Sequence, residues 1–345
     1  MSFNIDQLLR ENIRSLKPYS SARDEFSGEA DVFLDANENP YNSPWNRYPD
    51  PRQRKLKSRI SEIKNIPAAN IFLGSGSDEP IDLLIRVFCE PGKENIVSIS
   101  PTYGMYRVAA DVNNVKVIDV PLTEEFELKV NDILNAVNPS TKLIFLCSPN
   151  NPSGNALDIE GMKRVFERFK GIVVVDEAYI DFCPEKSFLP SLKLHPNLVV
   201  LQTFSKAWGM AGLRLGMAFA EEGIIEVLSR IKYPYNLSIL TQQKALELLD
   251  FEGKKSEWVK VLLAEREGLI RELSRFPFVI KIYPSDANFI LVKTQDPKAI
   301  YQYLSKKKII VRDRSEMRLC NGCLRISVGT PEENSVLISA LKGLI

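Results

Sequence analysis

The chain has 345 residues, of which 44% are hydrophobic and 26% charged, the balance of a folded globular protein. Lys and Arg total 45 and Asp and Glu 44, for a net charge of +1, which excludes the clustered basic excess that a nucleic-acid or anionic-membrane partner requires. No apolar run reaches the ~18 residues of a membrane-spanning helix, and residues 1–10 lack the apolar segment of a secretory signal, so a cytoplasmic protein is expected.

A single hydrophobic core rarely grows past about 250–300 residues, so the length predicts one large domain and a smaller one. The cysteines, Cys89, Cys147, Cys183, Cys320 and Cys323, are odd in number and scattered, as reduced thiols would be. Cys320-Asn321-Gly322-Cys323 has a suggestive spacing, but no second Cys pair and no nearby His completes a zinc site. A turn between strands is expected there, and no metal. His195 is the only histidine, which excludes multi-His metal sites and works against His-based triads.

In chain order, residues 70–73 read as a strand, followed by a Gly/Ser turn and a helix over 81–88. A strand over 96–100, a helix over 103–111 and a strand over 115–120 follow. Residues 143–147 form a buried strand, 160–169 a helix and 172–175 a fully apolar strand; 198–203 and 213–220 complete the series. Uninterrupted apolar strands flanked by helices predict a mostly parallel sheet covered on both faces, a three-layer α/β/α arrangement. Further on, a long helix over 257–275 precedes strands near 279–282, 288–292, 309–311 and 324–328, a smaller α+β domain. The expected division is a segment 1–40 that joins the small domain, a large domain over 41–250 and the small domain over 251–345.

Ligands of such sheets sit beyond the carboxyl ends of the strands, and the chemistry-bearing stretches fall there. In Thr203-Phe204-Ser205-Lys206-Ala207-Trp208-Gly209, Ser and Lys follow directly on an apolar strand. Partial desolvation there lowers a lysine's pKa and frees its amine to form a Schiff base with an aldehyde cofactor; taken alone, Lys206 also suits a solvated surface. Arg214, in Gly212-Leu213-Arg214-Leu215-Gly216, offers with Ser205 a guanidinium and a hydroxyl for a phosphate. Asp176 ends the strand at 172–175, where a carboxylate needs a cationic partner such as a protonated pyridine nitrogen; a helix-capping Asp is the alternative. Tyr179 follows and can donate to a phenolic oxygen, as can the amide of Asn151 in Ser148-Pro149-Asn150-Asn151-Pro152-Ser153-Gly154, otherwise a plain turn. Gly74-Ser75-Gly76-Ser77-Asp78-Glu79 joins a strand to a helix, so its N–H groups can hold a small phosphate. Glu79 in place of a third glycine argues against a dinucleotide fingerprint.

In this order and spacing, these stretches resemble the fold-type-I pyridoxal phosphate aminotransferases over nearly the whole chain. Within that family the closest likeness is to the histidinol-phosphate aminotransferases. It is carried by residues 17–23 (Lys-Pro-Tyr-Ser-Ser-Ala-Arg), 34–40 (Leu-Asp-Ala-Asn-Glu-Asn-Pro), 47–51 (Arg-Tyr-Pro-Asp-Pro), 101–106 (Pro-Thr-Tyr-Gly-Met-Tyr) and 324–330 (Leu-Arg-Ile-Ser-Val-Gly-Thr). The resemblance implies pyridoxal 5'-phosphate as cofactor, Lys206 as its covalent anchor and proton shuttle, and Asp176 on its ring nitrogen. It further implies Tyr179 and Asn151 on the phenolic oxygen and Tyr103 stacked on the ring. Ser77, Asp78, Ser205 and Arg214 would surround the phosphate, the first two largely through backbone N–H groups. Tyr48 would reach the cofactor phosphate of a neighbouring subunit, making the enzyme a homodimer with shared sites. Arg325 would bind the anionic end of the substrate, and Tyr19 and Asn37 would line the same pocket. The implied reaction moves an amino group between L-glutamate and imidazole acetol phosphate. A threonine-phosphate decarboxylase or an aromatic amino acid aminotransferase would share this core. A non-catalytic, DNA-binding regulator with the same cofactor would need a basic domain, which the near-neutral charge does not offer.

Overall fold

A computed structural model describes residues 4–17, 19 and 31–344. Eleven strands are distributed over two sheets among the described residues. The larger comprises β1 (Ile71–Ser75), β2 (Asn95–Ser100), β3 (Lys116–Pro121), β4 (Thr141–Cys147), β5 (Ile172–Asp176), β6 (Leu198–Thr203) and β7 (Leu215–Phe219), in the order β1-β7-β6-β5-β4-β2-β3. β3, β2, β4, β5 and β6 pair in parallel, and β7 runs antiparallel to both β6 and β1.

Side chains alternate across a strand, so a run without polar residues faces apolar neighbours on both sides. β5 shows this directly. Ile172 and Val174 join one buried cluster and Val173 and Val175 the other. The first cluster is closed by the helices Asp78–Phe88, Met105–Val112 and Glu222–Ile231, through Ile81, Leu84, Tyr106, Ala109, Ile224 and Leu228. The second is closed by Arg54–Lys64, Val130–Ala136 and Ile159–Arg168, through Leu56, Ile60, Ile133, Met162 and Val165. The three-layer α/β/α fold expected from the sequence is thus the one formed.

The smaller sheet is antiparallel, in the order β10 (Arg312–Asp313), β11 (Cys323–Ser327), β9 (Phe289–Thr294), β8 (Val279–Ile282). The helices Glu252–Leu273, Pro297–Lys306 and Pro331–Lys342 build its core with Leu269, Leu273, Ile300, Leu304, Leu337 and Ile338. Asp286 fastens this sheet to the large one: its N–H donates to Gly154 O at 2.8 Å, its carboxylate accepts from Ala156 N at 2.7 Å and pairs with Lys186 at 2.8 Å. Gly154 has φ +90°, and a Cβ there would stand 2.6 Å from Ser285 Oγ, so only glycine permits this approach.

Two expectations are corrected. The strand read at 309–311 pairs instead at Arg312–Asp313, because Lys308 takes φ +63° and Ile309 N donates to Leu304 O, closing the end of the preceding helix. The apolar Ile309 and Val311 mark core contact rather than pairing. The N-terminal segment does not join the smaller domain through its first described residues. Leu9 and Ile13 sit in the large domain's buried cluster, Arg10 N donates to Val87 O and Arg10 Nε pairs with Glu90 at 3.2 Å. Apolar residues four apart on one short helix (Glu11–Arg14 and its lead-in) find their cover on Asp78–Phe88. Residues 18 and 20–30, including most of the 17–23 motif, lie outside the described residues.

Candidate active site

A cavity of about 230 Å³ opens at the carboxyl ends of the large sheet's strands. Ser77 and Asp78 follow β1, Tyr103 follows β2, Asn151 follows β4, Asp176 ends β5, and Ser205 and Lys206 follow β6. All of them line it, with Tyr179, Arg214 and, from the smaller sheet, Arg325.

One corner is built for an anion. Gly76 has φ +72° and donates its N–H to Arg214 O at 2.9 Å; a Cβ on it would lie 2.5 Å from Arg214 Nη2. A Cβ on Gly216 would lie 2.2 Å from Gly76 C, so both glycines are required for the turn to lie against β7. Ser77 stands at the N-cap position of the helix Asp78–Phe88 without a side-chain cap bond, and the first-turn N–H groups and dipole of that helix favour negative charge. Arg214, held at φ 50°, reaches the same corner; its guanidinium makes only two contacts among the described residues, both 3.4 Å, to Asp78 and to Ala211 O. The Ser205 hydroxyl accepts from Thr203 Oγ1 at 2.9 Å and keeps its own proton to give. The Asp78 carboxylate does a different job from its backbone. It accepts the Tyr103 hydroxyl at 2.9 Å, and burial, with the adjacent Asp78 charge, pushes that phenol above the usual tyrosine range.

At the cavity floor Asp176 is 2% exposed. Its Oδ2 accepts from Tyr106 Oη at 2.6 Å and its Oδ1 from Ala178 N at 3.1 Å. Among the described residues no cationic side chain lies within ion-pair distance of it. Burial raises its pKa to about 6, against the pull of these two donors. A buried carboxylate of this kind is short of one cation.

Above it, Lys206 Nζ lies 5.3 Å from the Tyr179 ring centroid. Burial first, then the charge of Arg325, holds the amine below the usual lysine range, which favours the neutral, nucleophilic form. Asn151 links two groups: its Nδ2 donates to Tyr179 Oη at 3.4 Å, and its Oδ1 accepts from Arg325 Nη1 at 2.5 Å. Arg325 also lies over the Phe289 ring at 5.3 Å.

Three expected site residues are not on this cavity. Tyr48 is 50% exposed and stacks on Tyr235 at 4.4 Å; Asn37 is exposed, with φ 54°; Tyr19 is 72% exposed and borders two other surface hollows. Conversely, Thr203, Cys147 and Arg314 line the cavity without having been singled out. Arg314 follows the two-residue strand β10, too short to announce itself, and burial, with Arg325 nearby, lowers its pKa to about 10. Tyr106, in the first turn of the helix Met105–Val112, carried no sequence signal that set it apart from the helix's other apolar positions.

The model of the family described as aminotransferase class I and II matches residues 27–341. A histidinol-phosphate aminotransferase from Cytophaga hutchinsonii is 56% identical over 346 aligned positions, covering 99% of each chain. Among solved structures, the histidinol-phosphate aminotransferase from Clostridium acetobutylicum superposes with a TM-score of 0.80 at 25% identity, covering 87% of this chain and 91% of that one. The enzyme of that name from Sinorhizobium meliloti, solved with pyridoxal-5'-phosphate, gives 0.77 at 23% identity, covering 87% and 84%, a likeness of fold.

Proposed function

The chain belongs to the aminotransferase class I and II family, and from that premise we propose that it moves an amino group between L-glutamate and imidazole acetol phosphate, yielding L-histidinol phosphate. The likeness to histidinol-phosphate aminotransferases over nearly the whole chain carries this reading.

The cofactor is pyridoxal 5'-phosphate, and the residues present fit it. Asp176 is a buried carboxylate lacking a cation, the glycine turn with Arg214 is a cradle for a phosphate, and Lys206 is an amine held below its usual pKa. When bound, the cofactor supplies an electron sink for the charge left at the substrate's α-carbon. Asp176 would hold the ring nitrogen, Tyr179 Oη and Asn151 Nδ2 the phenolic oxygen, and Tyr103 would cover the ring. Ser205, Arg214 and the N–H groups of Ser77 and Asp78 would hold the phosphate. Lys206 Nζ would anchor the cofactor, and its amine, held below the usual lysine range, is the base placed to take the substrate's α-proton. Arg325 binds the anionic end of either substrate, since its planar fork matches carboxylate and phosphate alike. Arg314, on the same wall, adds a second positive charge suited to a phosphate of charge near −2.

The active unit is a homodimer in this reading. Tyr48, half exposed and away from its own chain's cavity, supplies its hydroxyl to the neighbour's site, and Tyr19 and Asn37 line the substrate pocket with Arg325. No helix among the described residues is long and apolar enough to cross a membrane. The free, buried cysteines support a cytoplasmic setting. The half-reaction tests the substrate: L-histidinol phosphate should bleach the visible absorption of the lysine-bound cofactor. No bleaching, with phenylalanine bleaching it instead, would overturn the assignment.

A further inference from the structure

We propose that Tyr106 is a positioning residue for this reaction, its hydroxyl donating to Asp176 so that the proton shared with the cofactor stays on the ring nitrogen. The inference rests on the reading of Asp176 as that nitrogen's partner.

Tyr106 does not itself line the cavity and is 1% exposed. It lies on the helix Met105–Val112, stacked on Phe145 at 4.8 Å and edge-on to Tyr103 at 5.6 Å. A phenol in so apolar a place needs a partner, and its partner is Asp176 Oδ2 at 2.6 Å. The other oxygen, Oδ1, takes the Ala178 N–H.

A carboxylate facing a pyridine nitrogen across one proton has two states. Either the proton sits on nitrogen, leaving an ion pair, or it sits on oxygen, leaving a neutral pair. A buried site favours the neutral pair, because desolvation penalises both charges. Donors to the carboxylate reverse this by lowering its basicity. Asp176 has two such donors; the charge of Lys206 acts in the same direction but less than either donor, and among the described residues no cation stands within ion-pair distance. Ala178 N–H is backbone and cannot be lost by mutation; Tyr106 is the adjustable one. The same ring braces Tyr103 edge-on, so one buried side chain sets both the cofactor's electronic partner and its cover.

The experiment uses the holoenzyme loaded with pyridoxal phosphate labelled with ¹⁵N in the ring, read by NMR at fixed pH. In Tyr106→Phe the nitrogen resonance should move toward the value of unprotonated pyridine. The kcat should fall by about tenfold or more, as loss of a hydrogen bond to a charged group implies, with KM little changed. In protein carrying fluorotyrosine at position 106, a more acidic phenol that keeps the ring, the resonance should move the other way. An unchanged resonance in both proteins would overturn the proposal; should Tyr106→Phe not fold, the fluorotyrosine protein decides alone. Asp176→Asn separates the underlying reading. If that variant leaves the nitrogen protonated and turnover intact, Asp176 is not the partner; if it abolishes both while the Tyr106 proteins match the parent, only the role of Tyr106 fails.

Discussion

Arg325 Nη1 donates to Asn151 Oδ1 across 2.5 Å, and this bond joins β11 of the smaller sheet to the turn after β4 of the larger. Through it, the residue proposed to receive the substrate's anion is connected to the residue proposed to hold the cofactor's phenolic oxygen. Phe289 underlies the guanidinium from the neighbouring strand, so Arg325 is fixed both in its plane and at its tip.

Replacing Arg325 by Lys keeps the charge and loses the fork. Lys presents one ammonium, which cannot satisfy a bidentate anion and Asn151 together. KM for L-glutamate and for the phosphorylated partner should both rise by about tenfold or more, as loss of a charge-assisted hydrogen bond implies. Steady-state kinetics with each substrate varied checks this; a rise for one substrate alone would show that two different groups receive the two anions.

In the proposed mechanism, Lys206→Ala removes the anchor and the base in one change. Turnover should drop by at least about 10²–10⁴-fold, the contribution of a positioned general base. The visible band of the lysine-bound cofactor should vanish, while the phosphate corner still retains the cofactor noncovalently. Gel filtration with absorbance detection, alongside an activity assay, reads both; retained turnover would refute the mechanism.

Asp176 makes the cofactor-free protein pH-sensitive. Its pKa is raised from 3.8 to about 6 in the folded protein, chiefly by burial. The folded state therefore holds this proton more tightly than the unfolded chain. That contribution is fully present below pH ~4 and is lost as pH rises through about 6. Asp176→Asn should stabilise the apoprotein at pH 8, by on the order of 2–3 kcal/mol at most, and the gain should disappear near pH 4. Urea denaturation of both proteins at the two pH values measures it. Glu177, also buried and raised to about 7 with burial as the main cause, adds to the same slope in both proteins and cancels in the difference.

The proposed shared-site homodimer predicts complementation. Tyr48→Ala and Lys206→Ala homodimers should each be strongly impaired. Mixing them under conditions that exchange subunits should restore activity, because one site of each hybrid then carries neither substitution. No recovery after exchange, verified by mass, would place Tyr48 outside the partner's site.

Much of the molecule was open to reading from local pattern. β5 and β6 were legible because each opens on four apolar residues, as strands buried on both faces do, and Asp176 and Lys206 follow where those runs stop. The glycines at 76 and 216 could be seen as turn formers; that each makes room for a specific neighbour could not. Tyr106 was one more apolar position in an amphipathic helix until the packing of that helix, which joins β2 to β3, brought its hydroxyl to the end of β5. Arg314 sits after a strand too short to carry a period, and Leu9 and Ile13 could have covered either domain. Periodicity and composition act between residues close in sequence, so by itself the sequence determined the strands, their order of appearance and the chemistry at their ends. Which oxygen of Asp176 meets Tyr106, and which arginine of the smaller sheet meets Asn151, depends on contacts 70 and 174 residues apart. Only the packing of the whole chain decides contacts of that range.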